Sequence, residues 1–145
     1  MICNRMTTAI DTNVISALWD AGDTLHKTAQ KALEEAQRSG GLTICAAVHA
    51  ELLAAPGRTE EFVDVFCEEA GIVVEWELGE KVWRTAGAAF QGYAARRRKQ
   101  RDTETRRVLA DFLIGAHALV NGYKLLTLDG IICQASFPRL GIRTL

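Results

Sequence analysis

The stretch TTAIDTNVI at residues 7–15 decides how the rest of the chain is read. A short apolar run reaches Asp11 and then turns at once into a helix start, because Asn13 is a good N-cap and Val14, Ile15 and Leu18 follow at helical spacing. The acid therefore stands at the C-terminal end of a strand. In α/β sheets that end is where ligands bind, and a charge is tolerated there when the site is open to water or a positive group fills it. The competing reading is that Asp11 caps the helix, as acids at strand-to-helix junctions often do. What separates the two is whether other groups arrive at the same place.

The chain has 145 residues and is 48% hydrophobic, the size and apolar content of one domain with a real core. We therefore read residues 1–145 as a single domain. Lys and Arg total 17 against 18 for Asp and Glu, so the net charge of -1 exerts no global pull toward nucleic acid or membrane, and any such preference rests on local patches. Cys3, Cys45, Cys67 and Cys133 are scattered, without a Cys-x-x-Cys pair or zinc-like His spacing. They read as reduced, mostly buried thiols of a cytoplasmic protein. No apolar run approaches the ~18 residues that a membrane helix needs, so no membrane partner is expected.

Working outward from residue 15, the pattern predicts a helix over 13–21, a break at Gly22, and a second helix over 25–38. LTIC at residues 42–45 is a short strand that runs directly into an Ala- and Leu-rich helix over 46–55, ended by Pro56 and Gly57. Residues 58–70 are amphipathic through Phe62, Val65 and Phe66, and residues 72–74 form a strand. A long helix over 79–98 places Val82, Trp83, Ala86, Ala89, Phe90 and Tyr93 on its buried side. RRRKQRDTETRR at residues 96–107 holds seven basic and two acidic side chains with no apolar anchor, and reads as a mobile or solvated segment. Residues 108–120 form a buried helix, 124–128 a strand ending at Asp129, and 141–145 a last edge strand. Strands alternating with helices predict a three-layer α/β/α sandwich with a mainly parallel central sheet.

Four acids then share one end of that sheet. Asp129 repeats the geometry of Asp11, an apolar strand ending in a carboxylate. Glu51 sits in an otherwise apolar helix that begins just after the second strand. Asp111 lies near the start of the buried helix, where Gly115 and Ala118 are small enough to let that face approach the sheet. Each acid has an ordinary explanation as a dipole partner, an exposed helix residue or a turn former. Together they would be four coincidences, two of them in apolar segments where an unpaired charge is costly, and a shared divalent cation accounts for all four. Hard oxygen donors without His or Cys suit Mg²⁺ or Mn²⁺. Such an ion polarises a phosphoryl oxygen, lowers the pKa of a bound water and stabilises a leaving alkoxide, which is phosphodiester hydrolysis.

The residues that carry this constellation, IDTNVI at 10–15, AELLA at 50–54, ADFLIGAHAL at 110–119 and LLTLDG at 125–130, resemble the PIN-domain ribonucleases, most closely the VapC toxins of bacterial toxin-antitoxin pairs. The resemblance covers nearly the whole chain in order and spacing. It implies a PIN-like fold and a Mg²⁺- or Mn²⁺-dependent endoribonuclease. It further implies that Asp11, Glu51 and Asp111 are the principal metal-site acids and that Asp129 is a fourth, acting through water or a second ion. Thr12, Asn13 and Thr127 match positions that support the site by hydrogen bonds. The implied partners are an RNA substrate, a cognate VapB-like antitoxin whose C-terminal segment fills the cleft, and a second copy of the chain in a homodimer. Similar proteins start one or two residues before the first strand, which makes Met6 an alternative start to Met1. Two departures from the family pattern concern substrate fit: Phe112 stands where Ala or Ser is frequent, and Leu128 where many members carry Arg or a similar polar group.

Arg96, Arg97, Arg98, Lys99 and Arg101 read as an RNA-backbone contact at the cleft rim, against a solvated helix end whose cations favour the C-terminal dipole. His26, His49 and His117 form no nuclease or zinc spacing and read as ordinary surface or core histidines, while Trp19, Trp76 and Trp83 read as core. A phosphoaspartyl enzyme needs a second acid where Asn13 stands, and a dinucleotide-binding enzyme needs a glycine loop where Asp11, Thr12 and Asn13 stand. The remaining alternative is a catalytically silent PIN-like module that binds RNA or protein.

Overall fold

The computed structural model describes residues 6–100 and 109–145; Cys3, Arg101 and the choice between Met1 and Met6 as start involve residues outside these. In chain order the elements are β1 Thr8–Ile10, α1 Thr12–Trp19, α2 His26–Ser39, β2 Leu42–Cys45, α3 Ala46–Leu52, α4 Glu60–Ala70, β3 Ile72–Glu75, α5 Glu80–Gln100, α6 Leu109–Asn121, β4 Lys124–Thr127, α7 Ile131–Ser136 and β5 Ile142–Thr144. The five strands pair in the order β3-β2-β1-β4-β5, and every pairing is parallel. This is the predicted α/β architecture with helices flanking a parallel sheet. The chain adds β2 and β3 on one side of β1 and then β4 and β5 on the other. The switch point of the sheet therefore lies between β1 and β4, where such sheets open a crevice at their carboxyl ends.

Burial explains why the central strands read as short continuous apolar runs. All residues of β1 and β2 are buried, and Ile10, Ile44, Leu125 and Leu126 are at most 1% exposed. Each such side chain contributes roughly 1.5–3 kcal/mol of transfer free energy. Helix α1 buries Val14, Ile15 and Ala17, and α2 buries Ala29, Ala32, Leu33 and Ala36. Helix α4 starts where the Thr59 hydroxyl accepts from Phe62 N at 3.1 Å, with Glu60 and Glu61 favouring the positive end of the dipole. It ends at Gly71, whose φ of 71° is the left-handed cap that glycine adopts without strain.

Several sequence expectations are corrected. Helix α4 buries Val63 and Cys67, whereas Phe62 and Val65 face solvent. Its inward stripe thus runs one position away from the largest apolar residues. Helix α5 buries Val82 and Ala86 but leaves Trp83 exposed, and Trp76 after β3 is exposed as well. Trp19 is half-buried in edge-on contact with Phe62 and Phe66, under the Arg58 guanidinium. Residues 96–100 continue α5 as helix instead of starting an irregular segment. Helix α7, which has no fully buried side chain and hence a weak apolar signature, was not predicted. The histidines are as expected: His49 Nε2 lies 2.9 Å from Asp64 Oδ1, and buried His117, 3.5 Å from Glu75, has its pKa lowered mainly by burial.

Gly115 also differs from its sequence reading. It makes room for a ring of α7's trailing residue, not for the sheet: a Cβ there would stand 2.3 and 2.7 Å from two ring carbons of Phe137. Phe137 is itself 3% exposed and has little freedom to retreat. We expect Gly115→Ala to destabilise the fold by ~1–3 kcal/mol through overpacking, although helix propensity alone favours Ala by ~1 kcal/mol. Chemical denaturation checks this, and Phe137→Leu in the same chain should recover part of the loss; a stabilised Gly115→Ala would refute the close approach.

Candidate active site

The switch point fixes Asp11 first. Its backbone N–H donates to Leu126 O of β4 at 2.9 Å, so the residue belongs to the sheet edge. Its side chain is the N-cap of α1: Oδ1 accepts from Thr12 N at 2.8 Å, and Oδ2 accepts from the Thr127 hydroxyl, also at 2.8 Å. The capping role expected of Asn13 therefore belongs to Asp11. Asn13 instead ties α1 to the end of β4: its Oδ1 accepts from Leu128 N at 3.2 Å and its Nδ2 donates to Thr127 Oγ1 at 3.5 Å. Thr127, fully buried, is the hinge of this arrangement.

The other predicted acids line the same cleft, a space of about 410 Å³ bordered by Asp11, Thr12, Asn13, Ser16, Asp23, Glu51, Asp111, Leu128, Asp129 and Cys133. Glu51, carried by α3, accepts from the Thr12 hydroxyl at 2.7 Å. Asp129 accepts from Ile131 N at 3.1 Å and so holds the entry to α7. Asp111 sits in the first turn of α6. Asp23 and Cys133 were not foreseen. Asp23 lies in the α1–α2 connection, where its carboxylate accepts from Leu25 N at 2.8 Å, and only the folded chain brings it beside the others.

Electrostatics mark Asp11 as the strained acid. Burial raises its pKa above the ordinary 3.8, the negative charges of Asp111 and Glu51 raise it further, and the Thr127 and Thr12 hydrogen bonds oppose the shift. A carboxylate desolvated among other carboxylates lacks positive charge. Among the described residues, however, no three His, Cys, Asp or Glu side chains stand close enough together to hold an ion among themselves. Glu51 and Asp129 each spend an oxygen on a neighbouring donor. The donor set still fits a hard, hydrated divalent ion, because Mg²⁺ uses only one or two direct carboxylates and reaches others through water. Asp11, Glu51, Asp111 and Asp129 are the residues that would hold such an ion.

Of the two departures noted in the sequence, Phe112 proves to be a packing residue. It is 2% exposed, stacks on Phe90 at 4.9 Å and touches Tyr93 at 5.4 Å, joining α6 to α5. Leu128 does border the cleft. Of the basic residues, Arg96, Arg98 and Lys99 are exposed on the last turns of α5. Arg96 Nη2 donates to Ser136 at 3.5 Å, and the Arg97 guanidinium lies 5.8 Å from the Tyr93 ring centre. Arg101 lies outside the described residues.

Comparison with known proteins bears on the fold. A family model described as PIN domain matches residues 8–138. No curated protein sequence matches the chain. Among solved structures, VapBC2 from Rickettsia felis bound to a DNA fragment from their promoter is similar with a TM-score of 0.64 at 16% identity, covering 96% of this chain and 98% of that one. VapBC-1 from nontypeable Haemophilus influenzae gives 0.63 at 19%, covering 96% and 98%. Mycobacterium tuberculosis VapC20, a Sarcin-Ricin loop cleaving toxin, gives 0.57 at 19%, covering 88% and 94%. At these identities the likeness is one of fold.

The raised Asp11 pKa has a definite sign. The folded chain holds that proton more tightly than the unfolded chain does, so ionisation opposes folding; the penalty is absent below 3.8 and grows as pH climbs through the folded-state value. In EDTA, Asp11→Asn should therefore melt above the unaltered chain at neutral pH, and the difference should close as pH falls toward 3.8. Thermal melts across pH check this; a variant that melts lower at neutral pH would show that the carboxylate is not under charge strain.

Proposed function

The chain belongs to the PIN-domain family, and from that premise we propose that it is a Mg²⁺- or Mn²⁺-dependent endoribonuclease, the toxin of a toxin-antitoxin pair. One observation carries the reading. Asp11, Glu51, Asp111 and Asp129, joined by Asp23, border a single cleft at the sheet's switch point, and Asp11 is held there by two hydrogen bonds while burial and the charges of Asp111 and Glu51 oppose its ionisation. A divalent ion, when bound there, supplies Lewis acidity toward a phosphoryl oxygen and an attacking water.

The chain's own residues perform the positioning. Thr127 and the Thr12 N–H orient both oxygens of Asp11, so that ligand does not reorganise when RNA arrives. The Thr12 hydroxyl holds Glu51, and Asn13 keeps the ends of β1 and β4 in register by bonding Leu128 N. Asp111 faces the same space from α6. Asp129, exposed at the rim, reaches the site through water. Arg96, Arg97, Arg98, Lys99 and Arg101 serve the RNA backbone, and a cognate VapB-like antitoxin and a second copy of the chain complete the partners in the cytoplasm. The antitoxin is supported by the solved structures of like fold, several of which are toxin-antitoxin complexes. A carboxylate cleft is also a fitting target for an inserted arginine.

The silent-module alternative draws on one observation, that no three candidate ligands converge among the described residues. Cleavage of labelled RNA with Mn²⁺ or Mg²⁺ decides between the two. Asp11→Asn and Asp111→Asn should each reduce cleavage by on the order of 10²-fold or more, and Thr127→Val, which removes the hydrogen bonds to Asp11 and from Asn13, by ~10–100-fold. Full activity in either carboxylate variant would refute the mechanism. Divalent metal should also raise the melting temperature, by the equivalent of ~2.7 kcal/mol at a hundredfold excess over Kd. Melting without any response to Mg²⁺ or Mn²⁺ would count for the silent module.

A further inference from the structure

Beyond the acidic cleft the molecule carries a larger groove of about 580 Å³. It runs between α5 and the loop that follows α7. Its floor is apolar, made by Ala88, Leu119, Phe137 and Pro138, and Arg84 and Arg139 border it. The two depressions adjoin. A narrow recess between them is lined by Asp111 and Cys133, which also border the cleft, and by Ser136 and Phe137, which also line the groove. Arg96 donates to Ser136 at this junction. Residues from α5, α6 and α7 thus set an acidic depression and an arginine-bordered one side by side.

We propose that this groove is a second RNA subsite that seats a nucleotide flanking the scissile phosphate. The inference rests on the nuclease reading and extends it to residues outside the acidic cleft. RNA alternates an anionic phosphate with a flat, largely apolar base, and the groove offers a counterpart to each. Its volume lies within the range of sites for small organic ligands. Arg139 is exposed on the loop. Arg84 pairs with Glu80 at 2.9 Å, yet both side chains are more than three-quarters exposed, so a phosphate competes readily for the guanidinium. A strand lying in the acidic cleft has this seat beside it, and the groove's cations offset the repulsion that the cleft's carboxylates exert on the backbone. An acidic peptide would use the arginines but has less need of an apolar floor.

The test uses the full chain carrying Asp11→Asn, so that RNA is not consumed, with fluorescence anisotropy on a labelled single-stranded RNA of random sequence and about 12 nucleotides. Adding Arg84→Ala and Arg139→Ala should weaken binding about tenfold and flatten the slope of log affinity against log salt by about 1.4, the value for two phosphate contacts on a single strand. Ala88→Phe, at an exposed position, should weaken binding by filling the floor while leaving the slope unchanged. Lys27→Ala with Lys31→Ala removes the same charge from α2 and should leave binding near that of the parent. Parent-like affinity and slope in the arginine variant would overturn the subsite while leaving the nuclease reading intact. An equal loss in the α2 control would reduce the effect to net charge and overturn it too. Retained RNA affinity with lost binding of a labelled acidic peptide would give the groove to a protein partner instead. Absence of RNA binding in the parent, which leaves the groove residues untouched, would strike the nuclease reading itself and the subsite with it.

Discussion

The Thr127 hydroxyl donates to Asp11 Oδ2 across 2.8 Å, and this bond joins the two strands on either side of the sheet's switch point. A carboxylate at the end of a buried strand has lost much of its water, so each oxygen needs a donor. The Thr12 N–H and the Thr127 hydroxyl meet that need from α1 and β4, and Asn13 locks the same two elements through Leu128 N. Moving β1 against β4 by one residue would break the Thr127 and Leu128 bonds together, while the local Thr12 N–H bond would persist. The pairing of Ile10 with Leu126 is thus as much a property of the site as of the core.

Around that fixed acid the chain gathers charge of one sign and compensates only part of it. Glu51 and Asp129 are each held by a neighbouring donor, whereas Asp11 feels both burial and the fields of Asp111 and Glu51. Hydrogen bonds to neutral donors oppose that burial and like-charge repulsion only in part, since the Asp11 pKa stays raised. The aromatic contacts of Phe112 and the close approach of Gly115 to Phe137 hold α6 against α5 and the end of α7. Packing next to Asp111 therefore sets how the acidic cleft and the arginine-bordered groove adjoin.

Legibility followed the kind of information each feature needs. Asp11 and Asp129 were readable because an acid closing an apolar run is a local pattern, and Glu51 and Asp111 because each interrupts a helical apolar segment. Asp23 was not readable, since an acid in a loop beside Gly22 is what any turn contains. The stripe of α4 was misplaced because Phe62 and Val65 outweigh Val63 and Cys67 in hydrophobicity, although the latter pair faces inward. Trp76 and Trp83 were assigned to the core on residue type alone, which says what a side chain can bury and not where a neighbour lies. Helix α7 escaped notice because it buries no side chain fully.

By itself the sequence determined the alternation of strand and helix, the parallel class of the sheet and the identity of the four acids, since all of these follow from local periodicity and from charge placed against an apolar background. Only the tertiary structure decided that Asp11 and not Asn13 caps α1, that Thr127 is the partner of Asp11, that Asp23 joins the cleft, and that Gly115 admits Phe137. Each of these is a contact between residues distant in sequence or a choice between neighbours of similar capacity. Such choices depend on strand order and helix approach, which periodicity does not encode.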